Sequence, residues 1–139
     1  MTFTAKIAAL AGSFLFAGAI SAATPNLPAC PDAGAIKAQG LSMAEQLLPG
    51  MYIAYDVGQY NTEGFWFFGI GPVEAEDENA ALVSGNKSLT TLSGQPTAEQ
   101  DEDGNIYCAY SLSDANMQAY AVEISGSLSK ARFRHYFHK

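Results

Sequence analysis

The stretch Met51 to Gly71, MYIAYDVGQYNTEGFWFFGIG, constrains the fold of this chain more than any other. Two apolar runs flank a short polar loop. Met51 to Val57 carries Tyr52, Ile53, Tyr55 and Val57, and Phe65 to Ile70 carries Phe65, Trp66, Phe67, Phe68 and Ile70. Gly58 and Gly64 bracket Gln59, Tyr60, Asn61, Thr62 and Glu63. Aromatic and β-branched runs on either side of such a loop read as a β-hairpin. A strand with one buried face alternates apolar with polar residues. The second run is apolar on both faces, so both sides need a cover: a helix, another chain or a flat ligand.

The first 23 residues read as a leader and not as part of the fold. Lys6 supplies a positive start, Ile7 to Ile20 is an apolar run of signal-peptide length, and Ser21-Ala22-Ala23 offers the small residues of a cleavage site. Cleavage is expected after Ala23, with Ala22 as the runner-up. The apolar run is short for a bilayer span. No cysteine follows the cleavage site directly, so no lipid anchor is expected. Residues 24–139 are the length of a single domain, exported to the periplasm or secreted.

Charge is unevenly distributed. Loss of Lys6 takes the net charge from −7 to −8. Between Thr24 and Ser129 fourteen acids face two bases, Lys37 and Lys87, whereas the last ten residues hold Lys130, Arg132, Arg134 and Lys139 and no acid. An acidic body excludes duplex nucleic acid as a partner, because a basic face supplies most of that affinity. The basic end is expected to lie on the acidic body of its own molecule, or else to hold an anion. The only cysteines are Cys30 and Cys108. In an oxidising compartment one disulfide is the expected use of such a pair. A metal or redox pair would sit closer in sequence, as in C-x-x-C.

Taken in order, three prolines make Thr24 to Pro31 an extended lead-in. Asp32 can cap a helix carrying Ile36, Gly40, Met43 and Leu47 at helical spacing, which Pro49-Gly50 stops. The hairpin over 51–57 and 65–70 follows. The acids Glu74 to Glu78 are expected at a helix start, where they complement the dipole; Leu82, Gly85, Leu89 and Leu92 form that helix's stripe. Asp101 to Asn105 is expected to be a turn. It does not match a calcium loop, because Gly104 is fourth and Leu112 twelfth when Asp101 is first. Ile106 to Leu112 and Met117 to Ile124 alternate as a second hairpin. Leu128 to Lys139 reads as a short helix pairing Phe133 with Phe137, or as a strand, with the helix preferred. The expected fold is α+β: one antiparallel sheet of two hairpins with two helices packed on it, in the order α-β-β-α-β-β plus a basic C-terminal segment.

Enzyme motifs are absent: no G-x-S-x-G, H-E-x-x-H, P-loop or G-x-G-x-x-G occurs. His135 and His138 are the only histidines, both near the chain end, where a rigid general base is poorly supported. Their spacing could ligate a metal, but no third ligand completes a set. Asn86-Lys87-Ser88 is a glycosylation sequon by letter only. The reading is therefore a non-enzymatic protein. Tyrosine recurs as Tyr52-x-x-Tyr55 and Tyr107-x-x-Tyr110, and residues three apart on a strand face opposite sides. One tyrosine of each pair could face a groove, and Tyr or His can ligate haem iron.

Gly40 to Gln46 (GLSMAEQ), Pro49 to Tyr55 (PGMYIAY) and Tyr60 to Glu63 (YNTE) with Trp66 resemble a family of small exported bacterial proteins of unknown function. One member of that family carries the name hemin-binding protein. The resemblance runs through the mature chain, cysteines included, and implies export and a haem-handling role. The first functional expectation is thus an exported binding protein for a flat apolar ligand, with haem as the named cofactor. Trp66 and its neighbours would stack on it, Tyr52, Tyr55, Tyr60 or His135 would meet the iron, and Arg132 or Arg134 the propionates. The alternative is a secreted protein-interaction factor, an effector or inhibitor acting through its aromatic hairpin.

Overall fold

The structure is a computed structural model and describes residues 26–125 and 130–137; the expected leader, residues 1–23, lies outside them. Helix α1 (Ala33–Gln39) begins where the Asp32 carboxylate accepts the Ala35 N–H at 3.0 Å. It then stops short of the span that the apolar spacing predicts. Gly40 adopts φ 78° and ends the helix. Residues 43–48, expected on the same helix, instead form edge strand β1 (Met43–Leu48). Pro49-Gly50 is accordingly a tight turn and not a helix stop: Leu48 pairs with Met51 across it, and Gly50 takes φ 77°. Glycine is the residue suited to that conformation. The spacing of Met43 and Leu47 fitted a helix, but pairing with the neighbouring strand outweighed it.

Strands β2 (Met51–Gly58) and β3 (Trp66–Glu74) form the expected hairpin, with β3 running on through the cis Gly71–Pro72 bond to Glu74. Helix α2 (Glu78–Leu89) starts at Asp77, whose carboxylate accepts the Ala80 N–H at 2.8 Å. Of the acidic run, therefore, Asp77 and Glu78 serve the helix start, while Glu74 still belongs to the strand. Strands β4 (Glu99–Gln100), β5 (Ile106–Tyr110) and β6 (Gln118–Glu123) complete one antiparallel sheet ordered β1-β2-β3-β6-β5-β4. Helix α3 (Lys130–Arg134) and a 3₁₀ turn (His135–Phe137) end the described chain. Among the described residues the fold is α+β with six strands and three helices, where two hairpins, two helices and a C-terminal segment, helix preferred, were expected.

The two-sided apolar character of β3 is met by the chain itself. Trp66, Phe68 and Ile70 point to the side of α1 and α2, packing with Ile36, Ala54 and Leu89. Phe67 points the other way, where Phe133 and Phe137 of the C-terminal segment join Ile53, Tyr55 and Val122. Each buried large apolar side chain contributes about 1.5–3 kcal/mol. The expected disulfide is present: Cys30 and Cys108 are joined across a separation of 78 residues.

Asn86 has a structural use that its sequon spelling concealed. Its Oδ1 accepts the Leu41 N–H at 2.9 Å, and its Nδ2 donates to the Leu41 and Leu82 carbonyls at 3.0 Å. The side chain clamps α2 to the segment entering β1. Asn86→Ala would strand both Leu41 backbone groups in a partly buried site and is expected to cost about 2 kcal/mol of stability. A urea-midpoint comparison measures it; an unchanged midpoint would show that water replaces the clamp.

Candidate functional site

The residues expected to bind a ligand divide between two places. Trp66 is fully buried, and its Nε1–H donates to the Thr62 hydroxyl at 2.9 Å. Tyr52 is buried on the helix side, with its hydroxyl 3.5 Å from the Glu76 carbonyl. Tyr55 is buried on the opposite side and donates to Glu45 Oε2 at 3.0 Å. The Tyr60 ring packs edge-on to Phe68 at 6.5 Å, and its buried hydroxyl has no hydrogen-bond partner. Tyr60 and Asn61 both take left-handed backbone, φ 51° and 65°. Buried tyrosines are poor acids: desolvation, then the Asp56 charge, pushes the Tyr60 phenol well above its ordinary value. In this structure these four rings are core, and the stacking face expected on β3 is occupied by the chain's own segments.

Arg132, Arg134 and His135 lie elsewhere, on the C-terminal segment. Arg134 Nη2 donates to the Gln46 carbonyl at 2.7 Å. Arg132 Nη1 meets Asp103 Oδ2 at 2.8 Å. The basic end thus lies on the acidic body, as its charge predicts, and Lys130 extends the pattern by pairing with Glu45. Arg132 and His135 line a cleft of about 770 Å³ between this segment and the β5–β6 hairpin. Its other walls are Tyr107, Tyr120, Tyr136 and the acidic turn Asp101 to Asn105.

The three tyrosine rings stand against one another, with centroids 5.5–6.2 Å apart and planes inclined by 53–72°. The Tyr107 hydroxyl donates to Glu99 at 3.2 Å and the Tyr136 hydroxyl to Asp101. Tyr120 lines the cleft beside them. Of these three tyrosines the sequence singles out only Tyr107, as one of a pair of which one member could face a groove. Strand alternation alone did not place Tyr107 beside Tyr120. The register does so, opposing Ala109 to Tyr120 and Tyr107 to Val122, and that register follows from the turn over residues 113–116.

The acidic turn is tied to itself through Asp101, although the buried Asn105 Oδ1 has no hydrogen-bond partner. Asp101 Oδ1 accepts the Asp103 and Asn105 N–H groups, each at 2.9 Å. Among the described residues no group of three or more His, Cys, Asp or Glu side chains is arranged to hold a metal. Burial on its own would raise the Asp101 carboxyl, but hydrogen bonds from Tyr136 and the turn backbone outweigh it and hold it below its ordinary value of 3.8. Glu45 behaves alike: burial raises it, while Lys130 and Tyr55 together bring it below 4.5. Both carboxyls hold a proton less tightly in the fold than in the unfolded chain. Their contribution to stability is present above the ordinary values and is lost as pH falls through the lower folded ones. The urea midpoint is therefore expected to decline below about pH 4, and Glu45→Gln should remove part of that decline. A midpoint that rises on acidification would contradict the assignment.

No helix of the described residues is long and apolar enough to cross a membrane. No curated protein and no solved structure shows a significant match to the chain. A family model matches residues 29–136, from the segment before α1 to the 3₁₀ turn, and so takes in the sheet, the disulfide and the tyrosine cleft. On that match the chain belongs to the family described as a domain of unknown function, DUF4949.

Proposed function

We propose that this chain is an exported, non-enzymatic binding protein that holds a flat, ring-bearing ligand in the tyrosine cleft, with hemin the named candidate. One observation carries the reading: Tyr107, Tyr120 and Tyr136 meet Arg132 and His135 around an open cleft of about 770 Å³. That size lies within the range of small-molecule sites. The donor set fits the group. Imidazole and phenol both ligate haem iron, which puts His135 and Tyr120 forward as iron ligands. Arg132 could hold a propionate in exchange for Asp103. The carboxylates of Asp101, Glu102 and Asp103 oppose a dianion, so a propionate at Arg132 has to displace Asp103 from it. The leader pattern and the disulfide support a periplasmic or secreted site of action.

Titrating the oxidised protein, residues 24–139, with hemin tests this. A Soret shift saturating at one equivalent is expected, lost in His135→Ala or Tyr120→Phe and retained in Tyr52→Phe. Absence of a shift, or a shift that none of these changes alters, would reject the cleft as a hemin site.

A second reading, a protein-interaction factor, has its own observation. Phe65 is 55% exposed and Ile124 37% exposed, side by side where the Ile124 N–H donates to the Phe65 carbonyl at 2.9 Å. A partner that co-purifies at one to one and is lost on Phe65→Asp would favour it over the cleft.

A further inference from the structure

We infer that residues 130–137 form a separable lid on the sheet, whose opening bares Phe67 beside Tyr107 and Tyr120. Among the described residues no backbone–backbone hydrogen bond joins 130–137 to the sheet. Its ties to the sheet and loops include side-chain ones: Lys130 to Glu45, Arg132 to Asp103, Arg134 to the Gln46 carbonyl and Tyr136 to Asp101. The opposite face is held differently. There Asn86 bonds backbone groups of the β1 approach, and the disulfide fixes the lead-in to β5. A segment without ladder bonds opens at lower free energy than the strands beneath it.

The floor under the lid is shaped for rings. Phe133 stacks on Phe67 with centroids 4.9 Å apart and planes 19° from parallel. Gly69 makes the room: a Cβ there would stand 2.9 Å from Phe133 Cζ. Phe137 meets Tyr120 edge-on at 5.6 Å. The lid's own phenylalanine therefore takes the stacking position that a flat guest would take on β3. Lifting it would bare Phe67, Tyr55, Tyr107 and Tyr120 as one continuous aromatic floor, and would carry Arg132, His135 and Tyr136 away with it.

The ion pairs make the opening dependent on ionic strength. Arg132–Asp103 is solvated, with side chains 46% and 56% exposed, and in Lys130–Glu45 the lysine is 54% exposed against 26% for the carboxylate. Such pairs are weak and are screened by salt. The lid's role in ligand entry rests on the binding reading above; its opening does not.

Limited trypsinolysis of the oxidised, folded protein separates the two. Cleavage after Arg134 requires the buried Phe133 and its neighbours to leave the sheet. It is expected to run about tenfold or more faster than cleavage after Lys87 in α2. Raising salt from about 20 to about 500 mM should speed it several-fold relative to the Lys87 cut. Lys130→Ala with Arg132→Ala should give the fast rate already at low salt. Equal rates at Arg134 and Lys87, rising and falling together, would show that the segment opens only when the whole domain unfolds and would overturn the lid. A fast lid without any hemin-induced Soret shift keeps this inference and defeats the hemin reading. Hemin binding with equal cleavage rates does the reverse.

Discussion

Replacing Cys30 and Cys108 together by alanine is expected to lower the unfolding free energy by about 4 kcal/mol. The bridge spans 78 residues, and closing so long a loop removes a large share of the unfolded chain's freedom. Domains of this size hold about 5–15 kcal/mol in all, so the loss is a substantial part of the total. The bridge also fixes the lead-in before α1 to a fully buried position on β5. Without it that lead-in would be held mainly by the Tyr110 hydroxyl, which donates to the Pro31 carbonyl at 2.6 Å, and by the Asp32 N–H on the Tyr60 carbonyl. Urea unfolding of the oxidised protein, the reduced protein and the double variant measures the effect. The last two should agree within about 1 kcal/mol, the remainder reflecting lost packing at the buried Cys108. A loss below about 1 kcal/mol would mean that strain in the folded bridge cancels its entropic gain.

Trp66→Ala is expected to cost about 3–5 kcal/mol, the range for emptying a buried aromatic site. Trp66 is 0% exposed, on the helix side of a strand with neighbours on both edges. Its indole N–H also bonds the Thr62 hydroxyl, which in turn donates to the Gln59 carbonyl at 2.6 Å. The substitution therefore opens a cavity and loosens the loop that carries Tyr60. Trp66→Phe keeps most of the volume and should cost less than half as much. This variant separates the core reading of Trp66 from the ligand-stacking one. If Trp66 is core, hemin binding per folded molecule is unchanged while the urea midpoint falls. If Trp66 stacks on the ligand, binding is lost at constant stability.

The hairpin over Tyr52 to Ile70 was readable in advance because its signal is local: aromatic and β-branched runs around a polar loop. The same holds for a helix start within the acidic run, for the acidic turn and for the second hairpin. Met43 to Leu48 departs from its helical spacing for a physical reason. Residues spaced three and four apart fit a helix, yet a six-residue run beside Pro49-Gly50 can also pair back on Met51 to Tyr55. Only the gain from pairing with β2 decides between them. The tyrosine cleft is not legible in the sequence because Tyr107, Tyr120 and Tyr136 are far apart along the chain and meet only through strand register and the docking of the last segment.

Sequence alone established the apolar demand on both faces of β3, the cysteine pair available for a bridge and the sign difference between body and basic end. Each follows from residue chemistry and short spacing. Tertiary structure decided what met that demand. The helices cover Trp66 and Phe68, and Phe133 covers Phe67, so the rings expected to receive a guest became core. Which partner fills an apolar face depends on free energies summed over long-range contacts, and these arise only once distant segments of the chain meet.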